Sequence, residues 1–222
     1  MKFLSILLVT TLTFQLPAQF MKSVSITAGQ TFSGERILNS SSLNSRYKTS
    51  MLMGFAVNIE PAFFSFGNKK QFDFTTGLSF IQKGAGITSP VYLYDDHNYL
   101  TGTGSESYRV RIYYVSVSPA IRFNFAKMFF VKAGPRMDVF TAFNSQARYS
   151  ADIRTNKDFN SAAFGVTYGA GIAAGKKRVK FIFEFLGQND LTQSSYNKAT
   201  LQSYRNFSFL LNFGANISLG KE

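Results

Sequence analysis

The residues best equipped for chemistry lie in one short stretch, Asp95-Asp96-His97, and His97 is the only histidine in the chain. Histidine beside carboxylates, with Ser105 and Ser107 a few positions on, supplies the parts of an acid–base–nucleophile relay, which in a membrane setting would be a lipid hydrolase. The same three side chains could instead hold a cation. The surrounding Pro90, Tyr92, Tyr94 and glycines give the stretch Ser89 to Ser107 the composition of an exposed loop, where a histidine is ordinarily solvated. No catalytic residue and no cofactor is therefore expected, and Asp95, Asp96 and His97 stand only as candidates for a metal. Because the chain has no cysteine, thiol catalysis, Cys-ligated metals and disulfides are excluded.

A second group of charges is spread along the chain: Glu60, Asp73, Lys83, Lys132, Arg136, Asp138, Lys180, Glu184 and Asp190. Each falls on the polar parity of a segment whose other parity is apolar. Asn206 to Leu219 is the plainest such segment. Phe207, Phe209, Leu211, Phe213, Ala215, Ile217 and Leu219 alternate with Asn206, Ser208, Asn212, Gly214, Asn216 and Ser218. A period of two is a strand with one greasy face, and its length exceeds the roughly nine to eleven residues that cross a bilayer.

Seven further segments alternate in the same way: Ser23–Gly34, Ser50–Phe66, Gln71–Thr88, Tyr108–Phe125, Phe129–Ala147, Ala162–Ala174 and Val179–Leu191. Their connections run long, short, long, short, long, short, long. The expected fold is all-β, an eight-stranded antiparallel up-and-down transmembrane barrel with short periplasmic turns and long external loops. In Tyr108–Phe125 the phase changes, with Val110, Ile112 and Tyr114 on one parity and Val115, Val117, Ile121, Phe123 and Phe125 on the other. A bulge near Tyr114 to Ser116 is expected to keep one continuous greasy face. Read so, that face carries no charge, as hydrocarbon demands when a lipid-facing Arg or Lys costs about 2–4 kcal/mol at the midplane.

An eight-stranded barrel is only wide enough for its own side chains, so the nine charges of the second group must pair inside it. The expected role of this polar lumen network is a structural plug, in preference to a proton or ion path. Phe63, Phe64, Phe66, Phe72, Phe74, Phe123, Phe125, Phe129 and Phe130 flank the short turns. Tyr92, Tyr94, Tyr99, Tyr108, Tyr113, Tyr114, Tyr149, Tyr196 and Tyr204 lie toward the long loops, as in two interfacial girdles. Lys69, Lys70, Lys127, Lys176, Lys177 and Arg178 make the turns basic and suited to phospholipid at the periplasmic rim.

Residues 1–18 read as a cleaved signal peptide, with Lys2, an apolar run from Phe3 to about Phe14 and a cut after Ala18, leaving a barrel domain over 19–222. The formal net charge of +12 includes only Lys2 from that segment, so the mature chain keeps +11. An exported chain whose charges are dispersed is not expected to bind nucleic acid. The expected location is the outer membrane of a Gram-negative bacterium. The sequence does not set the oligomeric state.

Gly77-Leu78-Ser79-Phe80-Ile81-Gln82-Lys83-Gly84 resembles the signature of the PorT-like outer-membrane β-barrel family of Bacteroidetes-type bacteria. Phe130-Val131-Lys132-Ala133-Gly134-Pro135, Tyr168-Gly169-Ala170-Gly171-Ile172 and Gly187-Gln188-Asn189-Asp190-Leu191-Thr192 resemble later segments of the same family. Tyr114-Val115-Ser116-Val117-Ser118-Pro119 departs from it, lacking an acid and placing Pro one residue later. The ending Leu219-Gly220-Lys221-Glu222 has no terminal aromatic, and Leu219 or Phe213 is expected to supply the assembly signal instead. The resemblance implies an outer-membrane barrel with a link to protein export, and it carries over no catalytic residue. The expected function is a closed structural or interaction barrel, in contact with outer-membrane lipids and binding an envelope or secretion-machinery protein through its loops or periplasmic rim. The alternatives are a membrane-embedded lipid hydrolase and a narrow pore.

Overall fold

Alternation over long segments leaves each strand with one apolar and one polar face, and rolling the sheet into a cylinder buries the polar faces together. The computed structural model describes residues 21–38, 48–67, 71–97, 99–125, 128–145, 155–176, 178–197 and 202–219. The expected signal segment 1–18 lies outside the described residues, as do Lys69, Lys70, Lys127, Tyr149 and Lys177. The strands are β1 (Ser23–Ile37), β2 (Lys48–Phe66), β3 (Phe72–Tyr94), β4 (Leu100–Asn124), β5 (Phe129–Ser145), β6 (Ala162–Lys176), β7 (Val179–Asp190), β8 (Ser195–Asn197) and β9 (Gln202–Ser218). They pair antiparallel in the order β1-β2-β3-β4-β5-β6-β7-β9, with β8 a short addition to β9. β9 then pairs with β1 from Ser23↔Ser218 to Ile37↔Tyr204, which closes the barrel.

Three expectations about strand boundaries and register change. The stretch Ser89 to Ser107 is largely not a loop: β3 and β4 continue as a paired hairpin from Phe72↔Phe123 to Tyr94↔Leu100. Its arms lack alternation because beyond the bilayer neither face of a ribbon has to be apolar. Secondly, the expected loop after β7 contains β8, and β9 begins at Gln202, four residues before the alternating run.

The third change concerns the phase shift in β4. β4 has no bulge near Tyr114 to Ser116, where its register with β3 is continuous; Val110, Ile112 and Tyr114 point into the barrel and are fully buried. The extra residue is on β5, where Tyr113 pairs with Ala142 but Tyr114 with Phe140, leaving Thr141 out of the ladder. Thr141 Oγ1 donates to the Tyr113 carbonyl at 2.8 Å and fastens the bulge. Parity therefore flips on β5, so Phe143, on the same odd parity as the outward Val131, Met137 and Val139, packs against the interior cluster beside Phe140.

The outer wall is apolar over a defined height. On β9 the outward side chains run Ile217, Ala215, Phe213, Leu211, Phe209, Phe207; ten residue steps at ~3.3 Å rise and ~40° tilt cover about 25 Å, the height of an outer-membrane apolar band. The next outward residue is Arg205, which is exposed. On β4, Arg111 and Arg109 follow Tyr113 in the same way. The outer face is thus not free of charge, as expected from sequence, because it continues past the band: Arg36, Arg109, Arg111 and Arg205 ring its edge at the loop end.

At the turn end an aromatic belt runs across four strands. Ring centroids lie 5.3 Å apart for Phe66–Phe72, 4.9 Å for Phe72–Phe123, 6.2 Å for Phe123–Phe125 and 6.0 Å for Phe125–Phe129. Phe130 does not join this belt; it is buried in the lumen under the Arg122 guanidinium, 5.3 Å away. Tyr108, Tyr114 and Tyr204 likewise face inward instead of joining a loop-end girdle.

Candidate functional site

The inward residues of successive strands stack into layers, and each layer brings together charges far apart in sequence. At the turn end, Asp73 on β3 receives Lys22 Nζ at 2.9 Å, Ser65 Oγ at 2.5 Å, Arg122 Nη2 at 3.1 Å and Asn124 Nδ2 at 2.9 Å. Four donors on one carboxylate satisfy it without any contribution from solvent. Lys180, expected in the network, is half-buried at this mouth and has no ion-pair partner among the described residues.

The next layer is a carboxylate–ammonium–carboxylate clamp. Lys132 Nζ on β5 lies 2.5 Å from Glu60 Oε2 on β2 and 2.9 Å from Glu184 Oε1 on β7, so one ammonium ties three strands across the lumen. Above it come Asn58, Gln188 and Asn212, with Ala56, Leu186 and Leu210 among them, around a cavity of about 20 Å³.

Toward the loop end, Lys83 Nζ on β3 donates to Asp138 Oδ2 on β5 at 2.5 Å and lies 3.8 Å from Asp190 Oδ1 on β7. Arg136 pairs with the same two acids, its Nε 3.1 Å from Asp138 Oδ1 and its Nη2 donating to Asp190. Asn206 adds its backbone N–H and Nδ2 to Asp190 Oδ2, both at 3.2 Å, and Nδ2 also reaches the Tyr114 hydroxyl at 3.2 Å. Lys83 sits 5.3 Å from the centre of the Tyr114 ring. Burying two cations and two acids is tolerable because each has a counter-charge in the layer, although Arg136 Nε, Arg136 Nη1 and Asp138 Oδ1 have no hydrogen-bond partner among the described residues.

The uppermost layer is dry. Ile81, Ala85, Ile87, Tyr108, Val110, Ile112 and Tyr114 form it with Phe159, which comes from the connection between β5 and β6. Phe159 stacks on Phe140 with centroids 5.0 Å apart and meets Phe143 at 4.7 Å. Its backbone bridges to Ser195, and Asn160 donates to the Ser194 carbonyl at 3.0 Å and, through Nδ2, to the Gln193 carbonyl at 2.7 Å. Two connections are thereby docked on each other around an aromatic stopper.

Eight of the nine charges singled out from parity are buried in this interior: Glu60, Asp73, Lys83, Lys132, Arg136, Asp138, Glu184 and Asp190. Arg122, Glu35 and Asn206 were not singled out. Arg122 shares the inward parity of Ser116 and Ala120, so its signal was present; Glu35 lies beyond the alternating part of β1. Asp95, Asp96 and His97 are exposed at the hairpin tip. Asp95 Oδ1 accepts the backbone N–H groups of His97 at 2.9 Å and Tyr99 at 2.8 Å, which makes it a turn-former. Ser107 Oγ is 2.9 Å from Thr88 Oγ1, back along the hairpin. Among the described residues no group of three His, Cys, Asp or Glu side chains is placed to hold a metal.

A closed antiparallel cylinder with an apolar wall about 25 Å high, an aromatic belt at one edge and charges confined inside and beyond the band is a membrane-spanning β-barrel. Residues 18–194 match the outer membrane protein beta-barrel domain, and the chain belongs to that family, which places it in the bacterial outer membrane. No curated protein matches it in sequence. Among solved structures it is similar to OprG from Pseudomonas aeruginosa, at 8% identity over 89% of this chain and 97% of that one, with a TM-score of 0.49. It is also similar to neisserial surface protein A, NspA (14% identity, 88% and 96% coverage, TM-score 0.45), and to the outer membrane protease OmpT from Escherichia coli (6%, 89% and 96%, 0.44). Likeness at this level bears on neither activity nor partner.

Proposed function

We propose that this protein is a closed, non-catalytic barrel of PorT-like type that serves as an interaction scaffold at the cell envelope, delivered by cleavage of a signal peptide after Ala18. The observation that carries this reading is the doubly blocked lumen: the ion-pair layer of Lys83, Arg136, Asp138 and Asp190 lies directly beneath the stopper of Phe140, Phe143 and Phe159. Such an interior commits its buried charges to ion pairs across the lumen, and the polar cavity between the layers, about 20 Å³, is too small for a substrate. The loop end, in contrast, is built up. The β3–β4 hairpin projects beyond the bilayer, and the connections after β5 and β7 are docked together, which gives a pre-organised surface for an envelope protein, a secretion component by family resemblance.

In this reading the basic short turns face the periplasm and the hairpin faces outward. Because the chain has no cysteine, a Thr101→Cys variant can be labelled alone. Labelling of intact cells by a membrane-impermeant maleimide is expected, and labelling only after permeabilisation reverses the orientation. A crosslinker on the same position should capture one envelope protein. Steady conductance in planar bilayers would replace the closed reading with a pore, and phospholipid turnover abolished by His97→Ala would replace it with a hydrolase.

A further inference from the structure

Arg36 and Arg205 are direct cross-strand partners on β1 and β9, both exposed on the outer wall. Like charges facing each other across a ladder are destabilising, and a bound anion between them would offset that repulsion. Among the described residues no carboxylate is within ion-pair distance of either guanidinium. Both sit immediately beyond the apolar band, at the height where lipid headgroups begin.

Both arginines line a groove of about 490 Å³, together with Leu38, Leu191, Phe207 and Phe209. Phe207 pairs with Gly34. A Cβ on Gly34 would come within 2.6 Å of the Phe207 ring, so the missing side chain lets that ring lie flat as a shelf. Asn189 and Asp190 also line the groove. Asp190 does not neutralise the pair, since its carboxylate is committed to Arg136 and Asn206 inside the barrel.

We propose that this groove binds one lipid whose headgroup carries a phosphate monoester, the phosphate bridging Arg36 and Arg205 and the first part of an acyl chain lying on Phe207, Phe209 and Leu191. Guanidinium forks match phosphate oxygens two at a time, and a dianion between two such forks converts the cross-strand repulsion into attraction. The apolar shelf makes the ligand an amphiphile and not a free anion.

The test uses the full mature chain in detergent, with native mass spectrometry to count retained phosphatidic acid against phosphatidylcholine. Wild type is expected to hold one phosphatidic acid per chain, and Arg36→Gln with Arg205→Gln to retain at least tenfold less. Arg36→Lys with Arg205→Lys keeps both charges without the forks, and is expected to fall between the two. Heat-modifiable gel mobility checks that each variant is folded; should the glutamine pair fail to fold, the lysine pair decides alone, and wild-type retention by it overturns the proposal. Equal loss in Arg109→Gln with Arg111→Gln, the arginines of β4, would mean general charge attraction and overturn it also. Displacement of the lipid by inorganic phosphate at comparable concentration would reassign the site to a soluble anion.

Discussion

Replacing Lys132 by methionine removes the one cation between Glu60 and Glu184. The two N–O distances of 2.5 Å and 2.9 Å, laid end to end, keep the paired carboxylate oxygens within about 5.4 Å of each other. At an effective dielectric constant near 20, two unit negative charges at that separation repel by about 3 kcal/mol, before the lost attraction is counted. Breaking a buried pair from one side typically costs about 3–5 kcal/mol, so the two routes agree. Urea unfolding in detergent, followed by heat-modifiable mobility, should show Lys132→Met less stable by that amount. Glu60→Gln, Lys132→Met and Glu184→Gln together leave no charge stranded and should recover most of the loss. A single variant within about 1 kcal/mol of wild type would refute the reasoning, because it would mean that water already solvates this layer.

Three other perturbations probe other layers. Phe159→Ala empties the stopper and should cost about 3–5 kcal/mol in the same assay, while planar-bilayer conductance stays absent because the Lys83–Asp138–Arg136–Asp190 layer remains; a steady current would show that the aromatic layer alone closes the lumen. Gly84 has φ +140 and abuts the Val110 carbonyl, so Gly84→Val should sharply reduce the yield of inserted barrel, and normal insertion would mean that the positive φ and close approach at this position are dispensable. Val57 lies midway along the outward row of β2, and Val57→Lys should destabilise the inserted barrel by about 2–4 kcal/mol, whereas no effect would mean that this row does not meet the bilayer core.

Strands and barrel closure were legible because alternation is a local property that a bilayer enforces on every crossing. Inward charges such as Asp138 and Glu184 could be named from parity alone, but their partners could not, since pairing depends on cross-lumen distances that no spacing in the chain encodes. Parity also misled at Val110, Ile112 and Tyr114. Apolar type alone does not distinguish a lipid-facing residue from one in the apolar interior layer, because both environments select the same residues. The bulge at Thr141 was invisible for a related reason: Phe140 and Phe143 look alike on either face. The hairpin arms from Ser89 to Ser107 carried no signal because a ribbon standing in water needs no greasy side.

Closure by β1 and β9 sets the order of events during biogenesis. Asn216 Nδ2 donates to Ser23 Oγ at 3.1 Å across a sequence separation of 193 residues. Bringing ends so distant together costs only logarithmically more than a short loop, but it cannot begin until the last strand has been delivered. Until then β1 presents an unpaired edge from Ser23 to Ile37, a template on which a second nascent chain could add. Nor does any shorter version of the chain offer a resting place: a product stopped before Gln202 would put open backbone into hydrocarbon along both β1 and β7. Insertion of this protein should therefore be all-or-none with respect to its C-terminal strand, with truncated products held by envelope chaperones or degraded.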